Sequence, residues 1–293
     1  DLFYTTSIYT CTKDNTPLLH SSTTIIKRTA ISITMSGSYS VKEEAFKLLP
    51  QLKEELEEAA DGVSDEYLLK FLCWKQDAQR AAGRFHSFQK WRNENPWSNT
   101  DMQLSKDPLL KKHVSSNVVV APESIVSKSG CSVIVGRLSN NDMSDGRTPE
   151  QVCRMILYTI DRLLERPSTR ENGVIIFHDL KGVSKNNVHP GVGKLLLGAI
   201  IGHLPIKIKG IYLLNAPFFF EGIFTVLTSV LFPKKMKQRV HYVDSIEDIY
   251  EVVDKELLLK EHGGELEFDA DTWVEEQINR EKNGDLESIF ITS

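Results

Sequence analysis

The sequence has no C-x-x-C pair: Cys11, Cys73, Cys131 and Cys153 are scattered through 293 residues. That spacing excludes a zinc ribbon or a thioredoxin-like redox motif and fits reduced thiols. The sequence also lacks a basic balance. Its 35 Lys and Arg against 40 Asp and Glu give a net charge of −5, so no global positive field argues for nucleic acid. No G-x-S-x-G elbow, H-E-x-x-H pair or G-x-G-x-x-G turn occurs. Gly191-Val192-Gly193-Lys194 lacks two P-loop essentials, since Val188 stands where its first Gly would be and Leu195 where Mg²⁺ needs Ser or Thr. The eight histidines are dispersed. His178 and Asp179 are adjacent on a strand and so point to opposite faces, which suits a structural role better than a general base. We therefore expect no catalytic residue, no bound metal and no cofactor. No basic–apolar–small leader marks a secretory signal.

A long apolar run is present, Ile211 to Phe232, but Asn215-Ala216-Pro217 interrupts it and Glu221 lies within it. Its length alone would cross a bilayer. Pro217 instead suggests a strand over Ile211–Leu214, a turn, and a helix from about Phe218 to Phe232. On that helix Glu221, Thr225, Thr228 and Ser229 fall on a narrow stripe, and apolar residues cover the rest. A surface helix needs only one apolar face, so this one is either buried in a core or a lid with two apolar contacts.

The rest of the chain divides by pattern. Residues 1–39 are rich in Ser and Thr without a sustained period, with Met35 near their end; we expect a disordered leader or upstream extension. Residues 40–105 read as about three helices, from the spacing of Phe46, Leu49, Leu52 and Leu56, then Leu68 to Leu72, then Ala78 to Trp91. From about Asn117, short β-branched runs alternate with helices: Val118–Val120, Val133–Val135, helix 149–164, strand Gly173–Phe177, helix Val188–His203, strand Ile206–Leu214 and edge strand Val240–Val243. That alternation predicts an α/β layer with a largely parallel sheet over residues 106–278. Residues 279–293 are expected to be an acidic, solvated tail. Between residues 204 and 241 stand six Lys or Arg and one acidic residue, a local basic patch on an acidic chain.

Several stretches, in order, resemble the CRAL-TRIO lipid-binding family, in particular its tocopherol-transfer and retinaldehyde-binding branch. They are Leu69-Lys70-Phe71-Leu72 with Lys90-Trp91-Arg92, Val133-Ile134-Val135-Gly136-Arg137, Gly173 to Gly182, Lys207 to Pro217, Lys235 to Val240, and Glu261-His262-Gly263-Gly264. The resemblance implies a helical bundle followed by a mixed, largely parallel sheet, with a hydrophobic pocket closed by a gate helix at 218–232. Tyr158, Phe177, Leu196, Ile200, Leu204, Ile211, Leu213, Phe220, Ile223, Phe224 and Leu227 are then expected to line the pocket. It further implies that Lys75, Lys207, Lys209, Lys235, Lys237 and Arg239 bind phosphoinositide head groups. His241 would extend that face when protonated. Phosphatidylinositol-transfer members typically carry a Glu early in the strand that here runs Ile206–Leu214; Ile206 stands at that position, which counts against stored phosphatidylinositol.

The resulting expectation is a cytoplasmic, monomeric carrier. It would transfer a small hydrophobic ligand between membranes while docking transiently on anionic lipid. The alternative is a phosphoinositide-reading adaptor in membrane trafficking with a vestigial or structural lipid pocket.

Overall fold

The computed structural model describes residues 41–99 and 101–291; the leader expected over residues 1–39, and Cys11 with it, lies outside the described residues. The chain opens with α1 (Val41–Leu56), α2 (Asp65–Trp74) and α3 (Ala78–Glu94). Ser64 starts α2 by accepting the Tyr67 N–H at 3.1 Å, and Asp77 starts α3 by accepting that of Arg80 at 3.0 Å. Next come α4 (Pro108–Val114), β1 (Val119–Val120) and β2 (Ser132–Gly136). Helix α5 (Pro149–Leu164) begins in a Thr148–Gln151 capping box with Pro149 in its first turn. Then follow α6 (Pro167–Asn172), β3 (Val174–Asp179), α7 (Pro190–Ile200), β4 (Ile208–Leu214), α8 (Phe218–Leu231), α9 (Lys234–Lys237), β5 (Val240–Val243), α10 (Ile246–Tyr250) and α11 (Ala270–Asn283). The chain is thus α/β, as its alternating pattern predicts.

The sheet runs β1-β2-β3-β4-β5, antiparallel only at β1. Both faces are covered. Val133, Val135, Ile175, Phe177 and Leu214 pack on one side against Ile249, Val253, Leu258 and Leu259. Ile134, Val174, Ile208, Ile211 and Leu213 join the larger core on the other. That larger core is continuous from Ala45 in α1 to Phe290, so the bundle expected at 40–105 shares its interior with the α/β part. Among the described residues no helix is long and apolar enough to cross a membrane.

The end of the chain departs from the expected solvated tail. Helix α11 continues to Asn283, and beyond it Ile289 and Phe290 are fully buried. Phe290 meets Phe88 edge-on at 5.5 Å. Asp161, on α5, accepts the Ile289 N–H at 3.1 Å, the Ser288 hydroxyl at 2.5 Å and the Arg162 guanidinium at 2.5 Å. Lys70 donates to the Glu287 carbonyl, and Arg92 to those of Ile289 and Phe290 at 3.3 and 3.0 Å. A short apolar segment after an acidic helix carries no periodic signal, and its buried donors and acceptors come from helices more than a hundred residues away.

Burial opposes charge on Asp161, but Arg162, Lys70 and the hydrogen bonds from Ser288 and Ile289 outweigh it and hold its carboxyl below the usual range. Asp161→Asn leaves two buried cations undercompensated, and should cost about 3–5 kcal/mol in urea denaturation. A loss under about 1 kcal/mol would remove the carboxylate from the framework. Because the folded pKa is depressed, this stability is complete above about pH 4 and is lost as pH falls through the lower folded value. The Asn variant should therefore show a flatter acid limb than the parent.

Candidate functional site

The inner face of the sheet, α7 and α8 enclose a cavity of about 180 Å³. Ile176, Ile208, Ile211 and Leu213 form its floor, Leu196, Leu197 and Ile200 one wall, and Phe220, Ile223, Phe224 and Leu227 the opposite wall. A β-bulge shapes the floor. Val174 pairs with Ile208 and Ile175 with Gly210, so Lys209 is the extra residue. Ile208 and Ile211, three apart, therefore both face inward. Gly193 permits the close approach of α8 to α7, because a Cβ there would lie 2.5 Å from Leu227 Cδ1.

Eight of the eleven residues expected at a pocket line this cavity: Leu196, Ile200, Ile211, Leu213, Phe220, Ile223, Phe224 and Leu227. Three do not. Phe177 faces the other side of the sheet, edge-on to His262 at 4.9 Å; Ile176 and His178 take the inward positions. Tyr158 turns to α11, where its hydroxyl donates to Glu281 at 3.0 Å and its ring meets Trp273. Ile156, about 200° round α5, is the wall residue there. Leu204 is fully buried in the main core beyond the cavity. Strand parity, counted back through the β3–β4 pairing from Leu213, would have found Ile176 and His178.

Helix α8 has two unlike sides. Phe220 is its one buried residue. Phe218, Val226 and Val230 follow one another at spacings of eight and four on the outer side and are 91%, 65% and 78% exposed. No side chain caps its first turn. Asn215, left-handed at φ 55°, turns the chain from β4 into α8, and its amide donates to Asp179 at 2.8 Å.

The basic residues divide into tied and free. Lys207 donates to the Arg170 and Glu171 carbonyls at 2.9 and 3.0 Å, closing the end of α6, and burial lowers its pKa. It therefore does not share an open face with Lys209. Lys237 donates to the Ser229 carbonyl at 3.0 Å near the end of α8, and Arg239 to that of Ile208. Lys209, Lys235 and Lys75 are exposed and make no ion pair among the described residues. The β4–β5 pairing of Ile211 with Val240 sets Lys209 and Arg239 at neighbouring strand starts, whereas Lys75 ends α2. His241 is exposed and stacks on Tyr212 at 4.8 Å, on the side of the sheet away from the cavity.

Few polar groups reach the cavity. Asn141 and Asn187 bond each other and the surrounding loop backbone. His178 lines the cavity, and its Nδ1 is buried against the Gly136 backbone. Burial pushes its pKa down to about 4, with the Gly136 backbone opposing, so the imidazole is neutral at pH 7. Among the described residues, no cluster of three or more His, Cys, Asp or Glu could hold a metal ion.

An alpha-tocopherol transfer protein-like protein of Homo sapiens is 26% identical over 231 residues, 77% of this chain and 66% of its own length. Clavesin-2 of Homo sapiens is 24% identical over 237 residues, 76% of this chain and 69% of its own. The chain thus spans about two thirds of the length of these relatives. The crystal structure of Sfh5 overlays with a TM-score of 0.47 at 14% identity, over 75% of this chain and 85% of that one. Residues 125–264 match the CRAL/TRIO domain, and the α/β fold, with helices leading into a mixed, largely parallel sheet, has the CRAL-TRIO architecture.

Proposed function

We propose that this chain binds one small hydrophobic, lipid-like molecule beneath α8 and transfers it between membranes, as a carrier of the tocopherol-transfer kind. The observation that carries this reading is the two-sided helix. Its inner side is a wall of the cavity, while its outer side exposes Phe218, Val226 and Val230. Seating those side chains in lipid is worth about 1.5–3 kcal/mol each, which favours α8 leaving the cavity at a bilayer. The cavity, about 180 Å³, is smaller than the roughly 300–1,000 Å³ of ordinary ligand sites. A lipid-sized cargo therefore needs α8 to move outward, and the helix acts as the gate.

Docking is assigned to Lys209 and Lys235, with the charges of Lys207, Lys237 and Arg239 behind them and Lys75 at the margin. Each cation near an anionic surface contributes about 1 kcal/mol. Phosphoinositides are the docking surface rather than the cargo, in keeping with Ile206, which is buried and apolar. The chain works without catalysis, in the cytoplasm and as a monomer on this reading.

The small size of the cavity favours a second reading, a phosphoinositide-reading adaptor whose pocket is structural or vestigial. Native mass spectrometry with lipidomics separates the two. The carrier should hold one lipid per chain and accelerate vesicle-to-vesicle transfer of that lipid; an empty chain without transfer would leave the adaptor. Ile211→Trp fills the floor of the cavity and should cut transfer at least about tenfold, while vesicle binding persists. Unchanged transfer would place the cargo elsewhere.

The double reversal Lys209→Glu with Lys235→Glu removes about 2 kcal/mol of attraction, so binding to phosphoinositide vesicles should fall roughly thirtyfold or more at low salt. Bound ligand should be retained. Vesicle binding within about twofold of the parent would take the patch out of the mechanism.

A further inference from the structure

We propose that His262 is a proton-operated release for α8: on taking a proton, its ring draws the Asp179 carboxylate away from Asn215 and frees the turn on which the helix swings. The proposal rests on the gate reading above and adds a means of regulating it.

Phe177 and Asp179 are two apart on β3 and share the face of the sheet away from the cavity. The His262 ring lies on that face, edge-on to Phe177 at 4.9 Å. Its Nε2 stands 3.8 Å from Asp179 Oδ2 and 3.9 Å from Glu261 Oε1, beyond hydrogen-bond reach of both. The other oxygen of Asp179 holds the hinge. Oδ1 accepts the Lys181 N–H at 3.0 Å and the Asn215 amide at 2.8 Å. Asn215 is left-handed at φ 55°, and a local side-chain hydrogen bond helps a residue other than Gly keep that backbone. One carboxylate thus stands between a buried imidazole and the residue that turns β4 into α8.

The ring is the fixed partner. The Tyr250 hydroxyl, on α10, donates to the His262 carbonyl at 3.1 Å. Two residues on, a Cβ at Gly264 would lie 2.0 Å from the Leu258 carbonyl oxygen, so the backbone around the ring has little room to shift. Asp179 ends its strand with a partly exposed side chain. Closing 3.8 Å to the roughly 2.8 Å of a charge-assisted hydrogen bond takes about 1 Å. Glu261 is held by Arg137 at 2.6 and 3.1 Å, which leaves the Asp179 carboxylate to make that move.

The surroundings of the ring set when this happens. Burial is the largest influence and lowers the His262 pKa; Glu261 and Asp179 oppose it, and Arg137 adds to it. Tyr250, the titratable group that α10 presents here, is engaged with the backbone carbonyl. The ring is therefore neutral at pH 7 and takes its proton only below about pH 6.5. At neutral pH the Asp179–Asn215 bond steadies the turn before α8, and in acid the imidazolium competes for the same carboxylate.

Amide exchange across α8 in the full chain, corrected for the intrinsic effect of pH on exchange, reads the release. Between about pH 7.5 and about pH 5, opening of α8 in the parent should rise at least about threefold, as expected for loss of one exposed hydrogen bond. His262→Phe keeps a ring against Phe177 but cannot take the proton. Asp179→Asn keeps an acceptor for Asn215 but loses the charge. Each should remove the rise, leaving the two conditions within about 1.5-fold. No rise in the parent, or a rise that survives in either variant, overturns the proposal and leaves the carrier reading standing. Binding to phosphatidylcholine vesicles, which carry no net charge for the basic patch to read, tests the gate separately. It should rise in acid together with α8 opening. Opening that depends on His262 without a rise in vesicle binding would keep the release and overturn the gate reading.

Discussion

A carboxylate with no exposure, Asp161, joins the parts of this fold that are farthest apart in sequence. It sits on α5 between the N-terminal helices and the C-terminal segment, and it accepts from Arg162, Ser288 and the Ile289 backbone. Lys70 and Arg92, from α2 and α3, take the carbonyls of the same segment. Replacing such a cluster with well-packed apolar groups is often neutral, so its role is not a simple gain in stability. What it supplies is registration. The donors and acceptors of segment 287–290 meet fixed partners on three helices, and a slip by one residue would leave buried polar groups unmatched. The apolar contacts around Phe88 and Phe290 add area but would tolerate such a slip more readily.

This anchoring makes the two sides of the cavity unequal. Its floor belongs to a sheet buried on both faces, and its α7 wall packs on α5, the helix that carries Asp161. Helix α8 has one buried residue, no side-chain cap at its first turn, and Lys237 tied to a carbonyl near its last. Segments with few buried contacts open at lower free energy than the body that holds them. The movement proposed for α8 would thus leave the frame intact, and the work of exposing its inner face would be returned where that face meets lipid instead of water.

Much of this was legible in the sequence, for identifiable reasons. The order of strands and helices follows from the change of period after Asn117, and the α8 boundary from Asn215-Ala216-Pro217. Phe177 misled because a strand buried on both faces is apolar throughout, so hydrophobicity cannot say which residues face the cavity. Lys207 and Lys209 look like one face at a spacing of two, but the bulge between them breaks the alternation and the α6 carbonyls claim Lys207. Tyr158 and the buried residues 287–290 escaped together: each is settled by partners more than a hundred residues away, and no local pattern announces a partner so distant.

The same physics limits how such a cavity can choose its contents. An apolar wall offers a hydrocarbon chain about what the bilayer offers, roughly 0.8 kcal/mol per CH₂ relative to water, so chain length shifts uptake and release together. A missing or extra methylene discriminates by only about 1–3 kcal/mol even in a closely fitting pocket. Selection among lipids of similar bulk therefore has to come from polar groups, where a mismatch leaves a buried donor or acceptor unpaired. In this cavity the two asparagines are occupied by the chain, His189 serves α7, and His178 Nδ1 is held against the Gly136 backbone. A lining so nearly apolar suits the carrier proposed here, whose cargo would be released into a bilayer no less apolar than itself.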